Sequence, residues 1–274
     1  MFDINITIVN YNTKEDVERC LVSVLSEIAN SNLIVNVTVI DNASSDNIVG
    51  MLYQKFPTVR CMANFENMGF GKAHNYGIKS NAAKYHFILN PDTRIGEGQN
   101  ALRRLYDFME ANPKIGLVGP KLVYPDGSLQ YSCYRFPSFW HPIISRTKYG
   151  EWSWLKKHHD KALMKDFNHD ETIPVDWVMG SAMFASADAL ERVGLFDEQF
   201  WMYYEDSDLC RRLWEAGWPI YYVHDVVVEH AHGRGSAKVA GTVMALIKNK
   251  LARVHLLSWL KYMWKWRGNH KYYV

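Results

Sequence analysis

No stretch of eighteen or more apolar residues occurs in the 274-residue chain, so no helix long enough to span a bilayer is expected. The first residues, MFDINITIVNYNT, have neither a basic start nor a long apolar core, so no secretory signal is expected there. Cysteine is scarce. Cys20, Cys61, Cys133 and Cys210 are scattered, without a CxxC pair or zinc spacing. That pattern argues against structural zinc and a disulfide framework, and points to a reduced, cytoplasmic chain. The net charge of +2 is too small to argue for a nucleic-acid partner. Glycine is missing from the turn after the first apolar run, which reads NYNT. The dinucleotide fingerprint GxGxxG is therefore absent there, and no Walker lysine motif occurs either. Nor is there a GxSxG or cysteine-nucleophile motif to suggest a covalent intermediate.

What is present is enough for a large core: 48% of residues are hydrophobic and 22% charged, the balance of an ordered α/β domain. No internal repeat or low-complexity linker is visible. Short β-branched runs at 4–9, 35–40, 59–62 and 85–89 read as buried strands. Helical patterns at 14–29, 48–56 and 72–80 alternate with them. Such alternation predicts a mostly parallel sheet with helices on both faces. Ligands of these sheets lie beyond the carboxyl ends of the strands, where Asn12, Asp41 and Asp92 all fall. A carboxylate at Asp41 can accept from a base NH or a ribose hydroxyl; it can equally close a turn. Asp92 is a candidate ligand for magnesium or manganese shared with substrate phosphates, although Asn-Pro-Asp is also a turn signal.

Further along, 116–123 reads as two short strands about Pro120, followed by a hairpin turn at Tyr124-Pro125-Asp126-Gly127. Residues 131–170 are rich in aromatics and read as a partly irregular lobe where an acceptor docks, or as an insertion. A strand is expected at 182–185, and a short helix at 186–193 with Ser186 as N-cap. The stretch 194–218, GLFDEQFWMYYEDSDLCRRLWEAGW, carries aromatics straight into Glu205, Asp206 and Asp208 at a helix start. Asp208 is spaced to pair with Arg211 or Arg212. An apolar wall raises a carboxylate pKa by desolvation, which suits a general base; simple helix capping is the alternative. Residues 220–230 are β-rich and run into His230 and His232, of which one could face the site and ligate a metal, a structural histidine being the alternative. Arg234 and Lys238 behind them could meet a phosphate. The tail, 239–274, has helical spacing and mixes Trp259, Trp264 and Trp266 with Lys261, Lys265, Arg267 and Lys271. That mixture suits a helix lying on an anionic membrane surface; packing on the protein's own core or an oligomer contact are the other readings.

Taken in order, TIVNYNT (7–13), VIDNASSD (39–46), NMGFGKAHNYGI (67–78), LNPDT (89–93), GSAMF (180–184) and FDEQFWMYYEDSDLCRR (196–212), with His230 behind them, form a specific set. The chain resembles the inverting family 2 glycosyltransferases of GT-A fold, and within them the bacterial rhamnosyltransferase-like group. The resemblance covers most of the chain. It implies an α/β, Rossmann-like nucleotide-diphospho-sugar transferase fold over 1–238, followed by a helical aromatic and basic tail, 239–274. Within the fold, about 1–115 would form the nucleotide-binding half and about 116–238 the acceptor and catalytic half. The implied reaction moves a sugar, L-rhamnose as best guess, from a nucleotide-diphosphate donor to a hydroxyl of a saccharide acceptor. That acceptor would be carried on a polyprenyl diphosphate at the inner face of the cell membrane, in bacterial surface polysaccharide (O-antigen) synthesis.

The resemblance also assigns residues. Asn12, Asp41, Asn67, Gly69, Lys72, Asn90 and Asp92 would bind the nucleotide sugar. Trp177, Gly180, Ser181 and Tyr204 would meet the acceptor. Asp206, with Glu205 beside it, would be the general base. Asp92 and His230 would hold a divalent cation, Mg2+ or Mn2+. Asn90 stands where the family's metal motif has its first acid, and an amide supplies no charge. Three alternatives share parts of this pattern: another hexosyl donor, a sugar-phosphate nucleotidyltransferase, and a non-catalytic nucleotide-sugar-binding module. The second would need a glycine-rich phosphate loop where NYNT stands. The third has no use for Asp92 and Asp206 together.

Overall fold

A computed structural model describes residues 1–137, 153–231, 249–269 and 271. Ile4, Ile6 and Ile8 are fully buried, as strands covered on both faces require. They belong to β1 (Phe2–Asn10), which pairs in parallel with β2 (Val35–Asp41) and β4 (Ala83–Leu89). β3 (Arg60–Ala63) adds to β2 in the same sense. The sheet continues from β4 through β11 (Ala182–Ser186), β6 (Leu117–Val123) and β12 (Ile220–His230) to the short β5 (Thr93–Ile95). β11 is antiparallel to both β4 and β6, whereas β12 runs parallel to β6. The central strands are therefore mostly parallel, with β11 and β5 reversed. β5 alone of the strands before residue 116 crosses over, to the far edge beyond β12.

Helices cover the sheet: α1 (Lys14–Ser31), α2 (Ile48–Lys55), α3 (Phe70–Lys79) and α4 (Ala101–Ala111) come from the first part of the chain. The helix α4 is not among the elements expected above, although Leu102, Leu105 and Met109 have helical spacing and are buried. Residues 117–123 form one strand, with Pro120 inside it, rather than two. Tyr124 N–H then bonds Ser128 O, and the chain turns back into β7 (Leu129–Gln130) on β6. Beyond it, β8 (Cys133–Tyr134) pairs with β10 (Trp177–Val178), and β9 (Ile173–Pro174) lies on β12. The expected lobe contains α5 (Ser153–Ala162); Phe139, Trp140 and Trp152 lie outside the described residues. So do His232, Arg234, Lys238, and 239–248 of the tail.

Two polar clamps carry the sheet's geometry to the acid-bearing segment. Asn75 on α3 donates to Phe196 O (2.9 Å) and accepts from Phe196 N–H (3.0 Å), as a backbone strand would. Gly69 packs against the same segment: a Cβ there would stand 1.9 Å from Trp201 O, and its φ of +83° also demands glycine. The segment then enters α7 (Glu205–Glu215) after α6 (Ala187–Val193), which Ser186 caps through Ala189 N–H as expected.

The last helix, α8 (Lys250–Lys265), packs on the protein itself. Trp259 and Tyr262 are buried with Phe200 and Tyr204. Trp266 N–H donates to Asp208, and Lys265 bridges Asp197 and Asp208. Asp208 also pairs with Arg212, while Arg211 stacks on Trp266 (4.4 Å) and donates to Asn269 O. Trp259 and Trp266 are thus unavailable for insertion elsewhere, because burial and a buried acceptor already occupy them. Trp264 remains exposed.

Candidate active site

Backbone pairing explains how one acidic pair forms. Thr93 in β5 sits opposite His230 in β12, and Ala231 N–H bonds Asp92 O at 2.9 Å. This register places His230 Nε2 3.2 Å from Asp92 Oδ1 and 3.3 Å from Asn90 Nδ2. The ring is buried, and its Nδ1 lies 2.6 Å from Gln130 Oε1. Gln130 in turn donates through Nε2 to His230 O, which fixes the amide so that Oε1 accepts from Nδ1–H. Nε2 then faces the Asp92 carboxylate and can accept from the Asn90 amide N–H at 3.3 Å. A hydrogen bond from the far nitrogen of the imidazole is the usual support of a metal-ligating histidine, and here the Gln130 carbonyl oxygen accepts it. Among the described residues no group of three His, Cys, Asp or Glu assembles into a metal cage. Two protein ligands suffice where phosphates and water complete the shell, so Asp92 and His230 fit a divalent cation brought with a diphosphate.

The second acidic pair starts α7. Tyr203 and Tyr204 both have φ of +69°, a costly backbone for two aromatic residues. Their rings are held by His255 of α8 at 5.0 and 5.2 Å, and Tyr204 also by Tyr262. Ser258 Oγ–H donates to Met202 O and Lys261 to Gln199 O. This bracing aims Asp206, which accepts from Gly180 N–H (3.1 Å) and Ser207 N–H (2.7 Å). Burial pushes Asp206 up to about 6. Glu205 is buried, its Oε2 without a partner, and burial together with the Asp206 charge raises it well above the usual carboxylate range. Of the two, Glu205 is the one held neutral and Asp206 the one that ionises near neutral pH.

A pH dependence follows. If Asp206 acts as a base, kcat/KM falls about tenfold per pH unit on the acid side of a limb near 6, and levels off above it. Stability has the opposite sign: a carboxyl raised in the folded state costs folding free energy as pH rises from its ordinary value, 3.8, through about 6. A pH profile of initial rates checks the first, and a flat profile between 5 and 7 contradicts it.

Both pairs open into one cleft of about 860 Å³. Of the residues expected from the sequence, Asn67, Gly69, Asn90, Asp92, Trp177, Gly180, Ser181, Tyr204, Glu205, Asp206 and His230 line it. The buried Ser181 Oγ has no partner among the described residues and is open to a ligand hydroxyl. Trp177 stacks on Tyr134 at 4.4 Å and also lines the cleft. Three expected residues stand beside the wall rather than in it. Asn12 accepts from Ser45 N–H and Oγ–H; Asp41 Oδ1 accepts from Asn10 and Ser44 N–H; Lys72 faces Glu198 at 3.9 Å. Tyr11, Thr13 and Asn42 line the cleft at that end. Sequence reasoning missed Asn42, whose amide ties Asn67, Gly69, Met68 and Asn64 together. It also missed Gln130 and His255, which no local pattern marks, and gave no site role to Trp201 or Lys250, although the aromatic run and the tail's helical spacing contain them.

Acids at the ends of separate strands, a braced carboxylate and a shared cleft fit a nucleotide-sugar-dependent glycosyltransferase of GT-A fold. A family model described as "Glycosyltransferase like family 2" matches residues 3–254, and the chain belongs to that family. It is 31% identical over 218 residues to the N-acetylglucosaminyl-diphospho-decaprenol L-rhamnosyltransferase of Mycobacterium tuberculosis, covering 73% of this chain and 68% of the relative. It is 26% identical over 208 residues to the dTDP-rhamnosyl transferase RfbF of Shigella flexneri, 75% and 62% of the two chains. Among solved structures, the mannosyltransferase PcManGT of Pyrobaculum calidifontis, in complex with GDP-Man and Mn2+, superposes with a TM-score of 0.57 at 16% identity. That match spans 95% of this chain and 64% of the other, and shows the shared fold.

Proposed function

We propose that this chain transfers L-rhamnose from a nucleotide-diphosphate donor to a hydroxyl of a saccharide carried on a polyprenyl diphosphate, with inversion, in surface polysaccharide synthesis. One observation carries the reaction type: Asp206, fixed by two backbone N–H groups, shares a cleft with the Asp92–His230 pair. An inverting transfer needs those two functions and no protein nucleophile. The acceptor oxygen bonds the anomeric carbon as the bond to the diphosphate breaks, and Asp206 takes the hydroxyl proton. Gly180 N–H and Ser207 N–H hold the carboxylate in place for that proton. Trp177 and Ser181 offer a stacking surface and a hydroxyl to the acceptor sugar. Asn67, Asn90 and Asp92 face the donor, with Asp41 and Asn12 bracing the turn behind Tyr11 and Thr13. A divalent cation held by Asp92 and His230 would neutralise charge on the leaving diphosphate. The names of the mycobacterial and Shigella relatives support the sugar and the lipid-linked acceptor.

Purified chain incubated with dTDP-rhamnose and N-acetylglucosaminyl-diphospho-polyprenol, with magnesium or manganese, is expected to give a rhamnosylated lipid. Chelator is expected to lower the rate at least tenfold, consistent with loss of a transition-state charge partner. Transfer from another nucleotide sugar, with none from dTDP-rhamnose, overturns the rhamnose assignment. Full activity in excess chelator overturns the metal.

A further inference from the structure

The helix α8 has two apolar faces, and only one is used internally. Trp259 and Tyr262 point to the core, and Leu251 and His255 to the cleft. On the opposite side Leu257, Leu260 and Trp264 are 56%, 48% and 68% exposed. Spacings of three and four put them in one row, in line with the exposed Arg253 at its start. Elsewhere among the described residues, exposed large apolar side chains are single or, as Val49 and Tyr53 on α2, paired rather than in a row of three. Lys261 flanks the row, and Arg267 stacks its guanidinium 3.8 Å from the Trp264 ring.

Charge distribution says what this row meets. From His230 to Val274 the chain has nine Lys or Arg and no Asp or Glu. The whole chain has 31 basic and 29 acidic residues, so the first 229 carry 22 and 29 and are net acidic by seven. All the excess positive charge is therefore gathered in the segment that bears the apolar row. We propose that this outer face of α8 docks on an anionic phospholipid surface, with Leu257, Leu260 and Trp264 entering the headgroup region. Basic residues around an exposed Trp-Leu row are the chemistry of an interfacial helix. No helix among the described residues is long and apolar enough to cross a membrane, so this face acts as a reversible contact.

Geometry gives the contact a use. The first turns of α8 place Lys250, Leu251 and His255 in the cleft wall, with Lys250 over the Trp201 ring at 5.3 Å. One helix thus borders the cleft and faces the bilayer, so a lipid-held acceptor reaches Asp206 along it. That use rests on the lipid-linked acceptor proposed above; the docking itself does not.

The test is flotation of the full chain with phosphatidylcholine vesicles, with and without phosphatidylglycerol, at low and high salt. The expected result is binding to the anionic vesicles only, weakened by salt. The variant Leu257→Ser, Leu260→Ser, Trp264→Ser is expected to bind at least about tenfold more weakly, while melting with the wild type and retaining transfer to a water-soluble acceptor analogue. Should that variant fold poorly, Arg253→Glu with Arg267→Glu is expected to give a comparable loss. Absence of wild-type binding, or equal binding by variants that fold, overturns the proposal. So does a wild type that sediments as a dimer without binding vesicles, since the row would then meet a second copy. Failure of the rhamnose assignment leaves vesicle binding unchanged, and failure of binding leaves activity on the soluble acceptor unchanged.

Discussion

Asp206→Asn is expected to lower turnover by ~10²–10⁴, the usual contribution of a positioned general base, while donor affinity stays near the wild-type value. Asp206 accepts from Gly180 N–H and Ser207 N–H, which hold its carboxylate toward the cleft. Burial brings it to about 6, close to where a base is both ionised and basic enough to take a hydroxyl proton. The amide keeps the shape and loses the proton acceptor. Glu205→Gln is the informative companion. Its carboxyl is buried and held neutral, so an amide changes little there and a much smaller loss is expected. Initial rates and nucleotide titrations on both variants, with melting curves as a folding control, measure the contrast. Equal losses for the two, or near-normal turnover of Asp206→Asn, contradict the assignment.

The second large effect is on stability. Asp208 is fully buried at the start of α7 and is shared by Arg212, Lys265 and the Trp266 N–H. Removing one partner of a buried ion pair costs about 3–5 kcal/mol, because charge is left without compensation. The low end applies here, since Lys265 keeps Asp197 and both cations reach solvent in part. Asp208→Ala is therefore expected to destabilise by about 3 kcal/mol and to lower Tm by roughly 6–12 °C, at about 2–4 °C per kcal/mol for a domain of this size. Activity is expected to fall too, because α8 braces Tyr203 and Tyr204 ahead of Asp206. A melting curve within about 2 °C of wild type, with normal rates, would show that α8 is held by its apolar contacts alone.

The alternation of β-branched runs and helices was enough to predict the mostly parallel sheet, because buried parallel strands carry continuous apolar runs that need no partner to be seen. The strand-end acids were legible for the same reason: the ends of β1, β2 and β4 are marked by the turns that close them. The reversed β11 was harder, since its apolar run reads the same in either direction. Long-range pairing was out of reach. Asp92 and His230 meet only because β5 pairs with β12, and Gln130 joins them from a strand of two residues. The Trp and Lys pattern of the tail was ambiguous by nature. The same residues that suit a membrane surface also suit a buried seam, and α8 divides them, Trp259 inside and Trp264 outside. Asp208 was set apart from its neighbours only by its spacing to Arg211 and Arg212; the arrival of Lys265 and Trp266, which ties α7 to α8, had no local sign.

The account stands on a single in-line displacement assisted by Asp206, and the anomeric configuration of the product tests it most directly. NMR of the transferred sugar in its new linkage is expected to show the configuration opposite to that of the donor. Retention of the donor's configuration would require two displacements or a front-face path, and would contradict the role given to Asp206.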